Sequence, residues 1–208
     1  MARIDGDWFY KYRWWIGGGL ALSIVGVVLY VNRKKVKKLG TDVVEYAQNK
    51  VWDSISDRNI DKLHPLVRDK ARLLINRVEK ELGIKLRAVS TLRTYAEQDE
   101  LYAKGRTTGK KGEIVTKAKG GQSNHNFGTA LDVVPMVNGQ PDWKHKDWSG
   151  IGRIGKEIGF KWGGDWTVAK EGIVDKPHFE MQFGHTLAQL RSKYESGQRD
   201  GEYVRLVA

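Results

Sequence analysis

Two short segments of the 208-residue chain contain the residue types that can hold a catalytic metal ion. Residues 123–132 include His125 and Asp132, and residues 175–180 include His178. Two imidazoles and one carboxylate form a three-ligand set for Zn²⁺ that leaves a fourth position open for water, as catalytic zinc sites do. The chain has no cysteine, which excludes a thiolate metal site, a cysteine nucleophile and a disulfide scaffold.

Both segments alternate polar and apolar residues as half-buried strands do. Asp132 points to one face of a predicted strand over 129–136, and His178 and Glu180 share one face of a predicted strand over 177–183. If these strands are neighbours, the carboxylate and the imidazole can meet, with the first histidine reaching them from the preceding loop. The alternation therefore predicts that the three candidate ligands converge.

Helical and extended patterns are mixed along the chain without a regular βαβ repeat, which predicts an α+β fold. Pro65 and Gly83 bracket an amphipathic helix over 65–82. Thr94 and Glu97 form a capping-box pattern that opens a second helix. The other predicted elements are a strand over 84–92, a mobile loop over 105–124, a turn at 138–139, and helices over 149–158 and 185–194.

The order of these motifs resembles a known family. The pattern S-x-H-x-x-G-x-A-x-D over 123–132, followed by D-x-P-H-F over 175–179, resembles the zinc D-Ala-D-Ala carboxypeptidase and dipeptidase family. It is most similar to the L-alanyl-D-glutamate endopeptidases that act as phage endolysins and bacterial wall hydrolases. The segments STLRTYAEQDELYAKGR over 90–106 and WGGDW over 162–166 agree, and the resemblance covers residues 62–190. It implies a small antiparallel sheet flanked by helices, the hedgehog/DD-peptidase-like fold.

The resemblance implies that His125, Asp132 and His178 are the zinc ligands. It also implies that Asp175 is the catalytic carboxylate, which accepts a proton from the attacking water and passes it to the leaving amine. Some branches of the family use glutamate there, so the shorter aspartate must lie closer to the metal. Each histidine could instead be structural, Asp175 could be a turn residue, and Glu180 is the rival base.

Four further residues are implied to act on the substrate. Arg93 would stabilise the developing oxyanion or hold a substrate carboxylate, unless it forms a structural ion pair. Ser123 would hydrogen-bond the substrate near the metal. Trp162 and Trp166 would line the groove, with a place in the core as the equal alternative. The remaining histidines match no motif and are predicted to be surface or packing residues: His64, His145 and His185.

Residues 14–31 contain no charged side chain. As a helix they would span about 27 Å, close to the hydrocarbon thickness of a bilayer. Aromatic residues lie at both ends and a basic run follows, which together predict a single uncleaved transmembrane helix. A buried core helix and a cleaved signal peptide are the alternatives. The predicted organisation is a tail over 1–13, the transmembrane helix over 14–31, a basic flank and helical stalk over 32–61, and a zinc peptidase domain over 62–208.

The net charge of +11 is concentrated in residues 1–40, which carry eight basic and two acidic residues, a net of +6. This distribution favours an anionic lipid surface or cell wall, and no nucleic acid partner is expected. Single-pass membrane localisation follows as a prediction. The basic flank would hold the domain in the cytoplasm or in a virion until lysis or entry, unless it is overridden and the domain faces the wall.

The sequence thus predicts a membrane-anchored zinc peptidase that cleaves peptidoglycan stem peptides. The expected bond is L-Ala–D-Glu, and a phage-associated role in wall lysis is favoured. Two alternatives stay open. One is a D-Ala-D-Ala carboxypeptidase or dipeptidase for wall remodelling, and the other is a non-catalytic wall-binding module that keeps the zinc fold. The oligomeric state stays open as well.

Overall fold

The computed structural model describes residues 54–168 and 173–206 of the chain. After helical residues 54–61, the described helices are α1 (Pro65–Leu82), α2 (Tyr95–Ala103), α3 (Trp148–Ile158) and α4 (Leu187–Glu195). Two 3₁₀ turns cover Asn124–Phe127 and Gly163–Asp165. The strands are β1 (Lys85–Ser90), β2 (Ala130–Val137), β3 (Gln140–Pro141), β4 (Lys161–Trp162), β5 (His178–Glu180), β6 (Arg199–Asp200) and β7 (Tyr203–Val204).

Five of these strands form one antiparallel sheet in the order β1–β2–β5–β4, with β3 paired to the far end of β2. Strands β6 and β7 form a separate hairpin. In the main sheet Asp132 lies opposite His178 across β2 and β5, and opposite Ser90 across β1 and β2. The predicted small antiparallel sheet with flanking helices is confirmed, and its register brings the two predicted strand ligands face to face.

Helix α1 has the bounds that its sequence predicts. Pro65 occupies the first turn, where its missing N–H leaves no hydrogen bond unmade, and His64 caps the helix by accepting from the N–H of Leu66. Gly83 ends it in the left-handed conformation at φ 68°. One face of α1 is buried against β1 and α3, at Val67, Ala71, Leu74 and Val78.

The main core lies between α1, α3 and the sheet, and it extends to the helical residues 54–61. Ile60 is fully buried there. Ser56 Oγ accepts a hydrogen bond from the N–H of Ala88 in β1, and the Asn59 amide donates to the carbonyl oxygen of Ala88. The described end of the predicted stalk therefore packs onto the sheet of the domain.

A second, smaller core supports the 3₁₀ turn that contains His125. Phe127 packs there with Leu190 of α4 and with Val204 and Leu206 from the C-terminal hairpin region. Gly128 ends the turn at φ 67°, and a Cβ at this position would lie 2.7 Å from the backbone nitrogen of His64. Only glycine fits such a close approach in the left-handed region, so this motif glycine fixes the turn against the start of α1.

Helix α2 follows β1 after a four-residue link and begins with the predicted capping box. Thr94 Oγ1 accepts from the N–H of Glu97 at 3.2 Å, and Glu97 Oε2 accepts from the N–H of Thr94 at 2.7 Å. Each side chain thus satisfies a backbone donor of the first turn. The reciprocal cap fixes the chain just after Arg93.

The structure contradicts the prediction of a membrane-spanning segment. Among the helices of residues 54–168 and 173–206, none combines the length and the apolar character needed to cross a bilayer. Even the 18-residue α1 exposes charged side chains such as Asp69 and Lys70 opposite its buried face, and hydrocarbon cannot solvate these charges. The predicted transmembrane helix, single-pass localisation and lipid partner are corrected accordingly. The segment on which they rested, 14–31, lies outside the described residues.

Candidate metal centre

Three buried side chains bring their ligand atoms to one point. Nε2 of His125 lies 3.2 Å from Nδ1 of His178, and that nitrogen lies 3.2 Å from Oδ1 of Asp132. Nε2 of His125 is 3.3 Å from the same carboxylate oxygen, which closes a nearly equilateral triangle. A tetrahedral zinc ion with ligand bonds of about 2.0–2.1 Å separates its ligands by about 3.3–3.4 Å. The donor set and its spacing therefore fit such an ion.

A backbone contact orients the His125 imidazole. Its Nδ1 lies 2.7 Å from the carbonyl oxygen of Thr91. Because a carbonyl oxygen only accepts, Nδ1 must carry the hydrogen, and Nε2 presents its lone pair to the other two side chains. The Ser123 hydroxyl caps the 3₁₀ turn by accepting from the N–H of His125 at 3.4 Å.

His178 is oriented from the opposite side by a carboxylate. Its Nε2 lies 3.1 Å from Oε2 of Glu180, which leaves Nδ1 facing Asp132 and His125. The same Glu180 oxygen accepts from the side-chain amide of Asn124 at 2.6 Å. His125 therefore turns Nε2 towards the centre and His178 turns Nδ1. The other ring nitrogen of each histidine contacts an acceptor of the protein, the Thr91 carbonyl oxygen or the Glu180 carboxylate.

The electrostatics of the cluster favour one positive charge. Burial lowers the pKa of His125, and Arg93 lowers it further against the opposing effect of Asp132. Burial also disfavours the charged form of His178, but hydrogen bonds with Asp132 and Glu180, and the charge of Asp175, raise its pKa to about 10. The carboxylates therefore favour positive charge at this cluster, which is the charge that a divalent cation would bring.

The cluster lines a cleft of about 420 Å³. Every residue for which the sequence predicts a role in the site lies on its wall except Trp162: His125, Asp132, His178, Asp175, Arg93, Ser123 and Trp166. Another part of the wall comes from the segment between α2 and the 3₁₀ turn, including Ile114 and Lys117. The three candidate ligands, one further carboxylate and one guanidinium thus border the same space.

The two tryptophans of the WGGDW segment occupy different places. Trp162 is 9 % exposed and belongs to the core, where its ring stacks on Phe179 with 6.4 Å between centroids. Its Nε1 donates to the carbonyl oxygen of Lys176 at 2.7 Å. Trp166 lies beside the three candidate ligands, with its ring centroid 4.9 Å from that of His178. Of the two, only Trp166 faces the cleft.

Asp175 is half-buried in the loop before β5, and hydrogen bonds of its backbone fix its position. Its N–H donates to the carbonyl oxygen of Gly163 at 2.9 Å, and its carbonyl oxygen accepts from the N–H of His178 at 3.1 Å. A Cβ on Gly163 would lie 2.4 Å from the Asp175 carbonyl oxygen, so the glycine permits the contact. The charge of Asp175 contributes to the raised pKa of His178, which agrees with its position at the cluster.

Arg93 is anchored at the cleft by two side chains. Nη1 donates to Oε1 of Gln98 at 2.6 Å, and Nη2 donates to Oγ of Ser90 at 2.9 Å. Gln98 is itself buried, and its amide donates to the carbonyl oxygen of Ala118 at 2.8 Å. The guanidinium therefore contacts side chains of α2 and β1, and Gln98 connects it to the segment that precedes the 3₁₀ turn.

Sequence reasoning assigned no role to three groups that position the site. Thr91 contributes a backbone oxygen, which leaves no residue signature, and the partners of Gln98 and Asn124 are distant in sequence. Glu180 did leave a signal, since its alternation with His178 predicted a shared face. The three remaining histidines make other contacts: His64 with Val204, His145 with Asp147 and His185 with Leu206.

Comparisons with known proteins agree on one family. A family profile described as D-alanyl-D-alanine carboxypeptidase matches residues 116–181. The chain is 40 % identical over 129 residues to the peptidoglycan L-alanyl-D-glutamate endopeptidase CwlK of Bacillus subtilis, covering 57 % of this chain and 73 % of that protein. It is 29 % identical over 128 residues to the L-alanyl-D-glutamate peptidase of Listeria phage A118, covering 60 % of this chain and 40 % of the phage protein.

Among solved structures, the chain matches the crystal structure of the L-Ala D-Glu endopeptidase ChiX of Serratia marcescens. The two share 27 % sequence identity with a TM-score of 0.44, and the match covers 62 % of this chain and 86 % of the other.

Proposed function

This chain belongs to the peptidase family that includes the peptidoglycan L-alanyl-D-glutamate endopeptidases, and we propose that it hydrolyses the L-Ala–D-Glu amide of peptidoglycan stem peptides with one bound zinc ion. The 40 % identity to CwlK over nearly three quarters of that protein supports the reaction and the substrate. One relative comes from a bacterium and one from a phage, so the same reaction is proposed in either setting.

The observation that carries the proposal is the triangle of His125 Nε2, Asp132 Oδ1 and His178 Nδ1 at 3.2–3.3 Å, open to a cleft. Three protein ligands leave a fourth position of a tetrahedral ion for water or substrate. A zinc ion held there would polarise the scissile carbonyl and lower the pKa of a water molecule. A structural zinc site would instead close all four positions with protein ligands.

Asp175 is the proposed general base. Its carboxylate borders the cleft beside His178, and an ionised carboxylate can accept a proton from the attacking water. The same group then gives that proton to the amine nitrogen of the leaving D-Glu as the amide C–N bond breaks. The reaction consumes one water molecule and yields a carboxylate and a free amine, and Asp175 returns to its ionised form.

Arg93 is the proposed electrostatic support. Its guanidinium lines the cleft and is fixed by Gln98 and Ser90, so little reorganisation is needed when negative charge develops on the substrate. Ser123 and Trp166 are proposed to contact the stem peptide near the metal, since both lie on the cleft wall. Trp162 has no proposed role in binding, because its ring lies in the core.

The test is digestion of purified peptidoglycan sacculi by the full chain, with zinc, with a chelator, and with the chelator followed by excess zinc. New amino termini and released fragments are identified by mass spectrometry. The proposal expects free D-Glu amino termini with zinc and none with the chelator. Zinc-dependent release of terminal D-Ala would instead support a carboxypeptidase, which the description of the matching family profile favours as the second candidate.

A further inference from the structure

A series of hydrogen bonds leads from the candidate metal centre to the protein surface. His178 Nε2 contacts Glu180 Oε2 at 3.1 Å, and that oxygen accepts from Asn124 Nδ2 at 2.6 Å. Asn124 Oδ1 accepts from the amide of Gln182 at 3.2 Å, and Gln182 Oε1 accepts from Lys161 Nζ at 2.8 Å. We call these four residues beyond His178 the Glu180 network.

The buried end of this network has no role in the reaction proposed above. Glu180 and Asn124 are only 8 % and 7 % exposed, although both border the cleft. Burying a carboxylate is costly unless it is paired, and Glu180 Oε2 is paired twice. A chain that needed only a packed core at this point would be served better by an apolar residue. The carboxylate therefore points to a function at its partner, His178.

The geometry separates Glu180 from the reacting atoms. It contacts Nε2 of His178, whereas Nδ1 of the same ring faces Asp132 and His125. The imidazole ring stands between the Glu180 carboxylate and the position of the ion. Glu180 is thus placed to act through His178, and Asp175 is kept as the proposed base.

Asn124 connects the two histidine ligands. It directly precedes His125 in the 3₁₀ turn, and its side chain holds the carboxylate that contacts His178. Its backbone oxygen also accepts from the N–H of Thr129 at 3.2 Å and from the Thr129 hydroxyl at 3.1 Å. Asn124 therefore stabilises the turn that contains His125, and it also holds Glu180, the partner of His178.

We propose that Glu180, held by Asn124, is a positioning residue that fixes the ring of His178 with Nδ1 towards the metal and thereby strengthens metal binding. A hydrogen on Nε2, donated to Glu180, leaves the lone pair on Nδ1, and the carboxylate makes that nitrogen a stronger donor to a cation. Loss of such a partner typically weakens metal affinity about 10–100-fold. The inference rests on the proposed function, because it requires a metal at the three ligands.

The test measures metal binding by the full-length chain without any activity assay. Zinc affinity is determined by competition with a chromogenic chelator, and the absorption spectrum of the Co²⁺-loaded protein reports the ligand environment. The variants are Glu180→Ala, Glu180→Gln and Asn124→Ala, with His178→Ala as the ligand control. Glu202→Ala serves as the matched surface control, because Glu202 is exposed in the turn between β6 and β7.

Glu180→Ala is expected to bind zinc about 10–100-fold more weakly and to alter the Co²⁺ spectrum. Glu180→Gln, which can still accept the hydrogen bond, should fall between the wild type and Glu180→Ala. Asn124→Ala should also weaken binding, and Glu202→Ala should match the wild type. Circular dichroism confirms that each variant is folded. If Glu180→Ala does not fold, Glu180→Gln and Asn124→Ala decide the matter.

Two failures are distinguishable. If the wild type binds zinc and His178→Ala does not, but the Glu180 and Asn124 variants keep wild-type affinity and spectrum, the positioning role is overturned and the proposed zinc site stands. If the wild type itself does not bind zinc, or His178→Ala binds it equally well, the proposed function fails first.

Discussion

Nε2 of His125 lies 3.2 Å from Nδ1 of His178, although the two histidines are 53 positions apart in the chain. The contact depends on the antiparallel pairing of β2 with β5 and on the turn that leads into β2. Without a cation or proton between them, two lone pairs at this distance would repel. The pair therefore identifies the point where positive charge is stabilised, and each prediction below concerns a residue around it or the fold that supports it.

Asp132→Asn is expected to weaken zinc binding by more than the roughly 10–100-fold typical of losing a partner beyond the ligands. The amide keeps the shape of the side chain but removes the negative charge that faces both imidazoles. Chelator competition measures the effect. Asp57→Asn, an exposed site, is the matched control. Equal affinity of Asp132→Asn and the wild type would remove Asp132 from the ligand set.

Asp175→Asn is expected to retain zinc and to lose about 10²–10⁴-fold in hydrolysis, the range for a general acid–base group. Zinc content and release of stem-peptide fragments are measured on the same preparation. Asp165→Asn is the control, because Asp165 pairs with Lys156 at 2.8 Å on the exposed side. Unchanged hydrolysis in Asp175→Asn would exclude it as the base. Wall binding without hydrolysis in the wild type would indicate a non-catalytic module.

Arg93→Lys is expected to lower kcat/KM about 10²–10³-fold, the range for loss of one electrostatic stabiliser. Lysine cannot reproduce the fork that contacts Gln98 and Ser90 together. Gln98→Leu should lower kcat/KM less, because it removes one anchor of the guanidinium and leaves the contact with Ser90 in place. Steady-state kinetics on a soluble stem peptide measure both, with the exposed Arg153→Lys as control. If Arg93→Lys retains full activity, its charge alone is sufficient.

Trp162→Ala is expected to lower the free energy of unfolding by about 3–5 kcal/mol, as large-to-small changes in a core do. Its ring packs on Phe179 and across Gly152 of α3. Trp166→Ala should cost clearly less stability, because Trp166 borders the cleft and is only partly buried. Urea denaturation followed by circular dichroism compares the two. Equal losses would contradict the division between core and cleft.

His64 is expected to make the fold less stable in weak acid. Burial lowers its pKa below the ordinary value of 6.5, and the charge of Arg68 lowers it further, against the hydrogen bond to the carbonyl oxygen of Val204, which raises it. Nδ1 also accepts from the N–H of Leu66, which only an unprotonated nitrogen can do. The unfolded chain then binds more protons, so the contribution is complete above pH 6.5 and is lost as the pH falls through 6.5 towards the lowered pKa.

His64→Asn provides the comparison, since asparagine also caps helices but does not titrate. Unfolding free energies of both proteins are measured from pH 7.5 to pH 5 with the metal content held constant. The stability of the wild type should fall towards that of the variant by up to about 1.4 kcal/mol per pH unit. Parallel pH curves for the two proteins would show that His64 does not titrate in this range.

Local patterns were sufficient for the regular elements. Proline, glycine and the apolar spacing predicted α1 from residue 65 to residue 82, and the Thr94–Glu97 pair predicted the start of α2. The period of two placed His178 and Glu180 on one face of β5. These features depend on backbone geometry within a few residues, so sequence alone determines them.

Apolar character alone was a poor guide to the surroundings of a segment or side chain. The membrane prediction came from one uncharged stretch, and none of the helices in residues 54–168 and 173–206 supports it. Likewise, two tryptophans four residues apart looked equivalent, yet Trp162 packs on Phe179 and Trp166 on His178. A side chain's environment depends on which distant residues reach it.

The sequence by itself determined the elements, the residue types of the candidate ligand set and the alternation that puts them on matching strand faces. Only the tertiary structure decided which nitrogen of each imidazole faces Asp132, because Thr91 and Glu180 select it through hydrogen bonds. The tertiary structure likewise decided that Gln98 contacts Arg93 and that Asn124 contacts Glu180. Hydrogen bonds form between groups that are close in space, and closeness in space between distant segments arises only when the sheet and its two cores pack.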